Sequence, residues 1–304
     1  MERDDSSGIA RITLDNPSRK NAYDPAMREQ MGAYLDDLAY DDDTKVVVLR
    51  GEGGVFSTGA DMNNAYAWYG AGEQDGRENG VKRRRPSQRR RVLVDRQTFD
   101  FYQAFLGYPK VTVAEVAGFA LGGGFELALM ADISVVASDT KLGMPATRFL
   151  GPALGSLHLF FHRLGPVLAR RLLLTGDTIE AGEIAHLGVF TEVVEADAVT
   201  ARAAWWAEKA SRMPADGIVL AKEAFRLIEQ LSAYQGEQVL SPLLHAYGTN
   251  LQFDEGEFNF VKARAEHGTK EAFAQRDAQC QDPEPGAGPS TSPRNADYGT
   301  RAPP

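Results

Sequence analysis

The chain has 304 residues, 43% of them apolar, with a single cysteine and a formal net charge of −9. That length fits one large domain or two small ones, with apolar content enough for a substantial core. The lone Cys280 excludes an internal disulfide and a cysteine-built zinc cluster, and no uncharged apolar run approaches the ~18 residues of a membrane span.

The opening Met-Glu-Arg-Asp-Asp has no apolar stretch behind a basic start. No signal peptide is expected, and the protein is read as cytoplasmic. Ile9 to Leu14 is short, β-branched and closed by Asn16-Pro17, which predicts a strand and a turn. Met27, Met31, Leu35 and Leu38 recur every three to four residues. They predict a helix from Pro25 to Leu38, with Asp24 as N-cap and Pro25 in its first turn. Val46-Val47-Val48-Leu49 reads as a strand buried on both faces.

The segment from Asn63 is polar and then basic, and 63–96 is expected to be an insertion loop. Lys82 to Arg96 holds eight basic residues and one acid, Asp95, so the rest of the chain carries −16 once this +7 is removed from −9. Such a block suits a phosphorylated small ligand or a subunit contact; a solvated loop is the plain alternative. An acidic body without a recognition fold argues against nucleic acid as a partner.

A short helix is expected over Phe99 to Leu106 and a buried strand over Val111 to Val116. A glycine-rich turn, Gly118 to Gly124, leads to a helix at Phe125 to Ala131 and a strand at Ile133 to Ala137. Strand, loop, helix, strand is an α/β rhythm. Helices follow at Leu157–Leu164, Pro166–Leu174, Glu180–Leu187, Thr200–Met213, Ala215–Ser232 and Pro242–Ala263. The expected division is a core over 1–200, a helical region over 201–280 and a disordered Pro/Gly/Ser-rich tail over 281–304.

Two glycine-bearing loops, each behind a buried strand, carry the chemistry. One is Phe56-Ser57-Thr58-Gly59-Ala60-Asp61-Met62; the other is Gly118-Phe119-Ala120-Leu121-Gly122-Gly123-Gly124-Phe125-Glu126-Leu127. Adjacent glycines let a ligand reach the backbone, and the helix they open has unpaired N–H groups. One N–H from each loop, converging on one oxygen, would make an oxyanion hole, where a donor is worth about 3 kcal/mol of barrier. Tight turns alone are the plain alternative.

With Ile12-Thr13-Leu14-Asp15-Asn16-Pro17, Asn21-Ala22 and Leu174-Thr175-Gly176, these loops resemble the enoyl-CoA hydratase/isomerase, or crotonase, superfamily over residues 8–277. The resemblance implies a spiral of ββα units, a C-terminal helical trimerisation region and a homotrimer or dimer of trimers. It implies an acyl-CoA substrate, so that coenzyme A arrives with the substrate and no tightly bound cofactor is needed. The N–H groups of Ala60 and Gly123 would hold the thioester oxygen and stabilise an enolate. Thr58, Asp61 and Met62 would lie along the CoA moiety, and Lys20 would meet its phosphates. Glu126 matches the first of two glutamates used by hydratases. A carboxylate between Phe125 and Leu127 suits acid–base work, although one at a helix N-terminus is also favourable in its own right.

The second glutamate has no counterpart. Gly143-Met144-Pro145 is followed by Ala146, and no Asp or Glu occurs from Thr140 to Gly176. The polar candidates in that stretch are Arg148, His158 and His162. Arg148 would suit a substrate carboxylate or a structural ion pair. His158 and His162 share a helix face, but no third metal ligand is evident and no metal is expected. Tyr66, Trp68 and Tyr69 would line the acyl pocket or pack the loop. The expected activity is hydration or dehydration of an enoyl-CoA by a lyase using Glu126. The alternatives are an isomerase, decarboxylase or C–C hydrolase of the same superfamily, or an acyl-CoA-binding protein without catalysis.

Overall fold

A computed structural model describes residues 1–62, 87–150, 157–231, 235–248, 253 and 257–279. Its elements begin with strands β1 (Glu2–Asp4) and β2 (Ile9–Leu14), helix α1 (Pro25–Ala39), strand β3 (Val46–Gly51) and helix α2 (Gln88–Leu106). Next come β4 (Val111–Val116), β5 (Phe119–Leu121), α3 (Gly123–Met130), β6 (Ile133–Ala137) and β7 (Lys141–Gly143). Then follow α4 (Thr147–Leu150), α5 (Leu157–Thr175), β8 (Thr178–Glu180) and β9 (Glu192–Val194). The C-terminal helices are α6 (Val199–Ser211), α7 (Ala215–Glu229), α8 (Gln235–Gly248), α9 (Phe260–His267) and α10 (Thr269–Gln279).

The larger sheet runs β1-β2-β3-β4-β6-β9, antiparallel only at its β1 edge. Its register, Ile9 to Val46 to Val111, keeps alternate residues in phase across the sheet. Ala10, Ile12, Leu14, Val47, Leu49, Ala114 and Val116 therefore face one core, shared with α3 and α5. Ile9, Val46, Val48, Val111, Val113 and Val135 face the other, which α6 covers through Val199, Ala203 and Ala207. This two-sided burial explains the uninterrupted apolar run Val46–Leu49 of β3.

A second layer is built from shorter pieces. Tyr23 bridges Ala60, Ser57 bridges Ala120, β5 pairs with β7 in parallel, and β7 pairs with β8 antiparallel. Each turn of the chain thus supplies a long strand, a short second-layer segment and a helix. β2, Tyr23 and α1 make the first turn; β3, Ser57 and α2 the second; β4, β5 and α3 the third. This is the expected α/β spiral of ββα units.

Several boundaries differ from the sequence expectation. Helix α2 starts at Gln88 rather than Phe99, so the expected insertion 63–96 ends earlier and Arg89, Arg90, Arg91 and Arg96 are helical. Of the buried positions in its first two turns, Arg91 and Asp95 flank Val94, and charged residues there hide the helical period. The turn expected at Gly118–Gly124 contains β5. The two helices expected at 157–174 are one element interrupted at Gly165. Glu180–Leu187 is a strand end followed by a 3-10 helix over Ala181–Leu187. The helix expected at Pro242–Ala263 is two separate helices, α8 and α9. The tail, Cys280, the aromatic residues Tyr66, Trp68 and Tyr69, and the basic residues at 82–85 lie outside the described residues.

Candidate active site

The two loops picked out in the sequence are laced together by backbone hydrogen bonds. Phe56 N–H donates to Ala117 O at 2.9 Å, Ser57 N–H to Phe119 O at 2.9 Å, and Leu121 N–H to Ser57 O at 3.0 Å. Buried Ser57 locks the first loop: its Oγ donates to Asn21 O (2.8 Å) and accepts from Gly59 N–H (3.0 Å). Asn21 is fully buried, and its side chain ties the turn at Asn16 to the carbonyls of Glu52 and Val55.

The backbone of Tyr23 flanks Ala60 on one side. Tyr23 N–H donates to Gly59 O and Tyr23 O accepts from Asp61 N–H, both at 2.9 Å. In a parallel bridge the residue between those two points its own N–H the opposite way. The Ala60 N–H therefore faces away from Tyr23, and Ala60 is exposed. Gly59 has φ +81°, and a β-carbon there would sit 2.7 Å from Leu121 O and 2.8 Å from Gly123 N. The Gly123 amide thus lies against the residue that precedes Ala60.

Gly123 opens α3, whose first recorded helical bond is Glu126 N–H to Gly122 O at 3.1 Å. Among the described residues neither Ala60 N–H nor Gly123 N–H has an acceptor. Two donors without an acceptor, one at a helix N-terminus and one in the loop laced against it, are suited to an oxygen that gains negative charge.

Glu126 lies on the first turn of α3, 5% exposed, between Phe125 and Leu127, which are fully buried. Its charge acts on two buried phenols, Tyr23 and Tyr102, whose hydroxyls hydrogen-bond to each other. Burial is the main cause that pushes both phenols' pKa far up, so both stay protonated. Sequence reasoning missed this pair. Tyr23 adjoins the Asn21-Ala22 motif, but nothing local says that its ring reaches an α2 residue so far along the chain.

The proposed CoA-side residues fall in two groups. Lys20, Thr58 and Asp61 share a rim: Thr58 N–H donates to Lys20 O (3.1 Å), and Lys20 Nζ sits 3.8 Å from the centre of the Phe119 ring. Arg19, not singled out in the sequence, adds a second cation there, 3.7 Å from the Asp61 carboxylate. Met62 turns elsewhere. Its carbonyl accepts from Arg264 Nη1 at 2.9 Å, and it packs on the cluster of Phe260, Ala263, Ala272 and Phe273. Met62 thereby anchors the C-terminal helices α9 and α10.

Ala146 packs between that same cluster and the main core. The residue that follows Gly143-Met144-Pro145 is thus part of an apolar seam. Arg148 is held by Thr175 O (3.1 Å), Asp177 (3.3 Å) and Asp277 (3.7 Å), so the structural ion-pair reading holds for it. His158 and His162 stand on α5, and among the described residues no three metal-ligating side chains gather.

The chain belongs to the enoyl-CoA hydratase/isomerase family, whose sequence model matches residues 4–270. It is 29% identical over 270 residues to a probable enoyl-CoA hydratase of Mycobacterium bovis, covering 87% of this chain and 95% of that one. It is 27% identical over 239 residues to the 2,3-dehydroadipyl-CoA hydratase of Escherichia coli, covering 77% and 86%. Among solved structures it resembles an enoyl-CoA hydratase of Mycobacterium smegmatis, with TM-score 0.76, 26% identity and coverage of 91% and 92%. An enoyl-CoA hydratase/isomerase of Xanthobacter autotrophicus gives TM-score 0.72, 29% identity and coverage of 90% and 95%. The fold is the crotonase fold with a helical C-terminal region.

Proposed function

We propose that the protein converts an acyl-CoA thioester through an enolate, with Ala60 and Gly123 N–H on the thioester oxygen and Glu126 as acid and base. The observation that carries this reading is the contact of the two laced loops at Gly59 and Gly123, with buried Glu126 one helical turn on. CoA enters as part of the substrate, along the rim of Lys20, Thr58 and Asp61, with Arg19 as an additional cation.

The first reaction proposed is reversible hydration of an enoyl-CoA. The water oxygen bonds to the β-carbon while Glu126 takes one water proton. The electron pair of the carbon–carbon double bond moves onto the carbonyl oxygen as an enolate, which the two amides stabilise. When the enolate collapses, its α-carbon takes the proton from Glu126, so one carboxylate balances the cycle.

Ala146 favours a second reading, double-bond isomerisation. There Glu126 removes a proton from one carbon and returns it to another along the same enolate, with no water to hold. Incubation with crotonyl-CoA and with branched, cyclic and aromatic enoyl-CoAs, including β,γ-unsaturated ones, separates the two by mass spectrometry. Gain of one water supports hydration, and an isomer of unchanged mass supports isomerisation. Binding across the panel with neither change contradicts both readings and leaves a binding protein.

A further inference from the structure

The phenol pair has no part in the scheme above, yet it touches every piece of it. Tyr23 grips the first loop by its backbone, bonding both Gly59 and Asp61 on either side of Ala60. Its side chain crosses to the second loop, where its hydroxyl and that of Tyr102 meet at the Cα of Gly123. A β-carbon on Gly123 would overlap both oxygens, and Tyr23 Cζ would lie 3.1 Å from it. The backbone of Gly123 has no positive φ. Its glycine is therefore required by these hydroxyls and not by the turn.

Both rings are buried, at 1% and 6% exposure, so their polar ends are matched inside the protein. Charged groups flank the pair on two sides. Glu126 is on α3, and buried Arg28 on α1 acts on both phenols and bonds Thr98 of α2. The pair thus joins the segment before α1, helix α2 and the start of α3 at one point.

We propose that Tyr23 and Tyr102 are positioning residues of the reaction centre, whose paired hydroxyls form the polar seat that fixes the Gly123 amide against the Ala60 segment beside Glu126. This rests on the oxyanion reading of Ala60 and Gly123 given above. A shift of about 1 Å in such a donor costs on the order of a hundredfold in rate. Substrate binding, spread along CoA, is left largely intact.

The test compares Tyr23→Phe, Tyr102→Phe and the double variant with the wild-type protein. Four quantities are read: kcat, KM, thermal midpoint, and the absorbance red shift of a bound aromatic enoyl-CoA such as 4-dimethylaminocinnamoyl-CoA. Each single variant breaks the hydroxyl pair, and the midpoint checks that the fold is kept. The double variant removes both hydroxyls. Its kcat stays down by about 10- to 100-fold with KM within about threefold, and the red shift shrinks. If the double variant does not fold, the kcat-against-KM split and the red shift of Tyr102→Phe decide alone. Wild-type kcat and red shift in the Phe variants overturn the proposal and leave the pair as core packing. Absence of both turnover and red shift in the wild-type protein overturns the oxyanion reading itself, and this inference falls with it.

Discussion

Gly59 and Ala146 bracket what single residues decide at this site. Gly59 sits at φ +81° with Leu121 O and Gly123 N where a side chain would begin. Gly59→Ala is expected to cost about 2–3 kcal/mol from left-handed strain and the close carbonyl, and to lower turnover by parting the loops. Urea unfolding checks the first effect; a cost under about 0.5 kcal/mol would contradict the packing described. Ala146 was legible from the sequence alone, because an acid-free stretch can be counted. Its apolar surroundings were not, since Phe260 and Phe273 come from the far end of the chain. Arg148 illustrates the same limit. Its residue type allowed substrate binding or an ion pair, and only the approach of Asp177 and Asp277 decides between them.

Elements announced themselves where local chemistry and tertiary packing agreed. Helix α1 begins where Asp24 and Pro25 say it should, and the Asp24 carboxylate accepts from Met27 N–H at 2.8 Å. Asp24→Ala is expected to cost about 1 kcal/mol, the usual worth of such a cap, with Asp24→Asn nearly neutral. Equal loss in both variants, read from denaturant midpoints, would argue against capping. Helix α2 was half hidden because two of its first three buried residues, Arg91 and Asp95, are charged. Asp95 is paired with His245 of α8 at 2.8 Å, a contact that no local pattern announces. The short strands β5, β7, β8 and β9 have three residues each. Their pairing comes from neighbours in space, and runs so short carry almost no periodic signal.

On the scale of the whole molecule, the α/β class was readable from the order of strands and helices, and the spiral of ββα units only through the family resemblance that the glycine loops help to carry. For the assembly, the sequence offers only what that resemblance implies. The described surface now adds its own observation: α7 and α8 expose Leu220, Leu227, Ile228, Val239, Leu240 and Leu243, each about half or more accessible. Large apolar side chains exposed on two helices suit an interaction surface. With the homotrimer or dimer of trimers as the proposed assembly, light scattering coupled to size exclusion is expected to give three or six times the 33.2 kDa chain mass. Replacing Leu220 and Leu227 with Glu is expected to lower that mass. A monomeric wild-type protein would contradict the assembly. The net charge also reads differently at this scale. Arg89, Arg90 and Arg96 stand on exposed positions of α2, so part of the basic block is helix surface rather than loop.

In the proposed reaction one carboxylate beside two backbone amides performs the chemistry. The direct measurement is Glu126→Gln, assayed on whichever enoyl-CoA the wild-type protein turns over, with CoA-ester affinity read by calorimetry on the same sample. Replacing the acid/base by its neutral isostere is expected to lower kcat by roughly a thousandfold while affinity stays within a few fold. Turnover by Glu126→Gln at the wild-type rate would contradict the account.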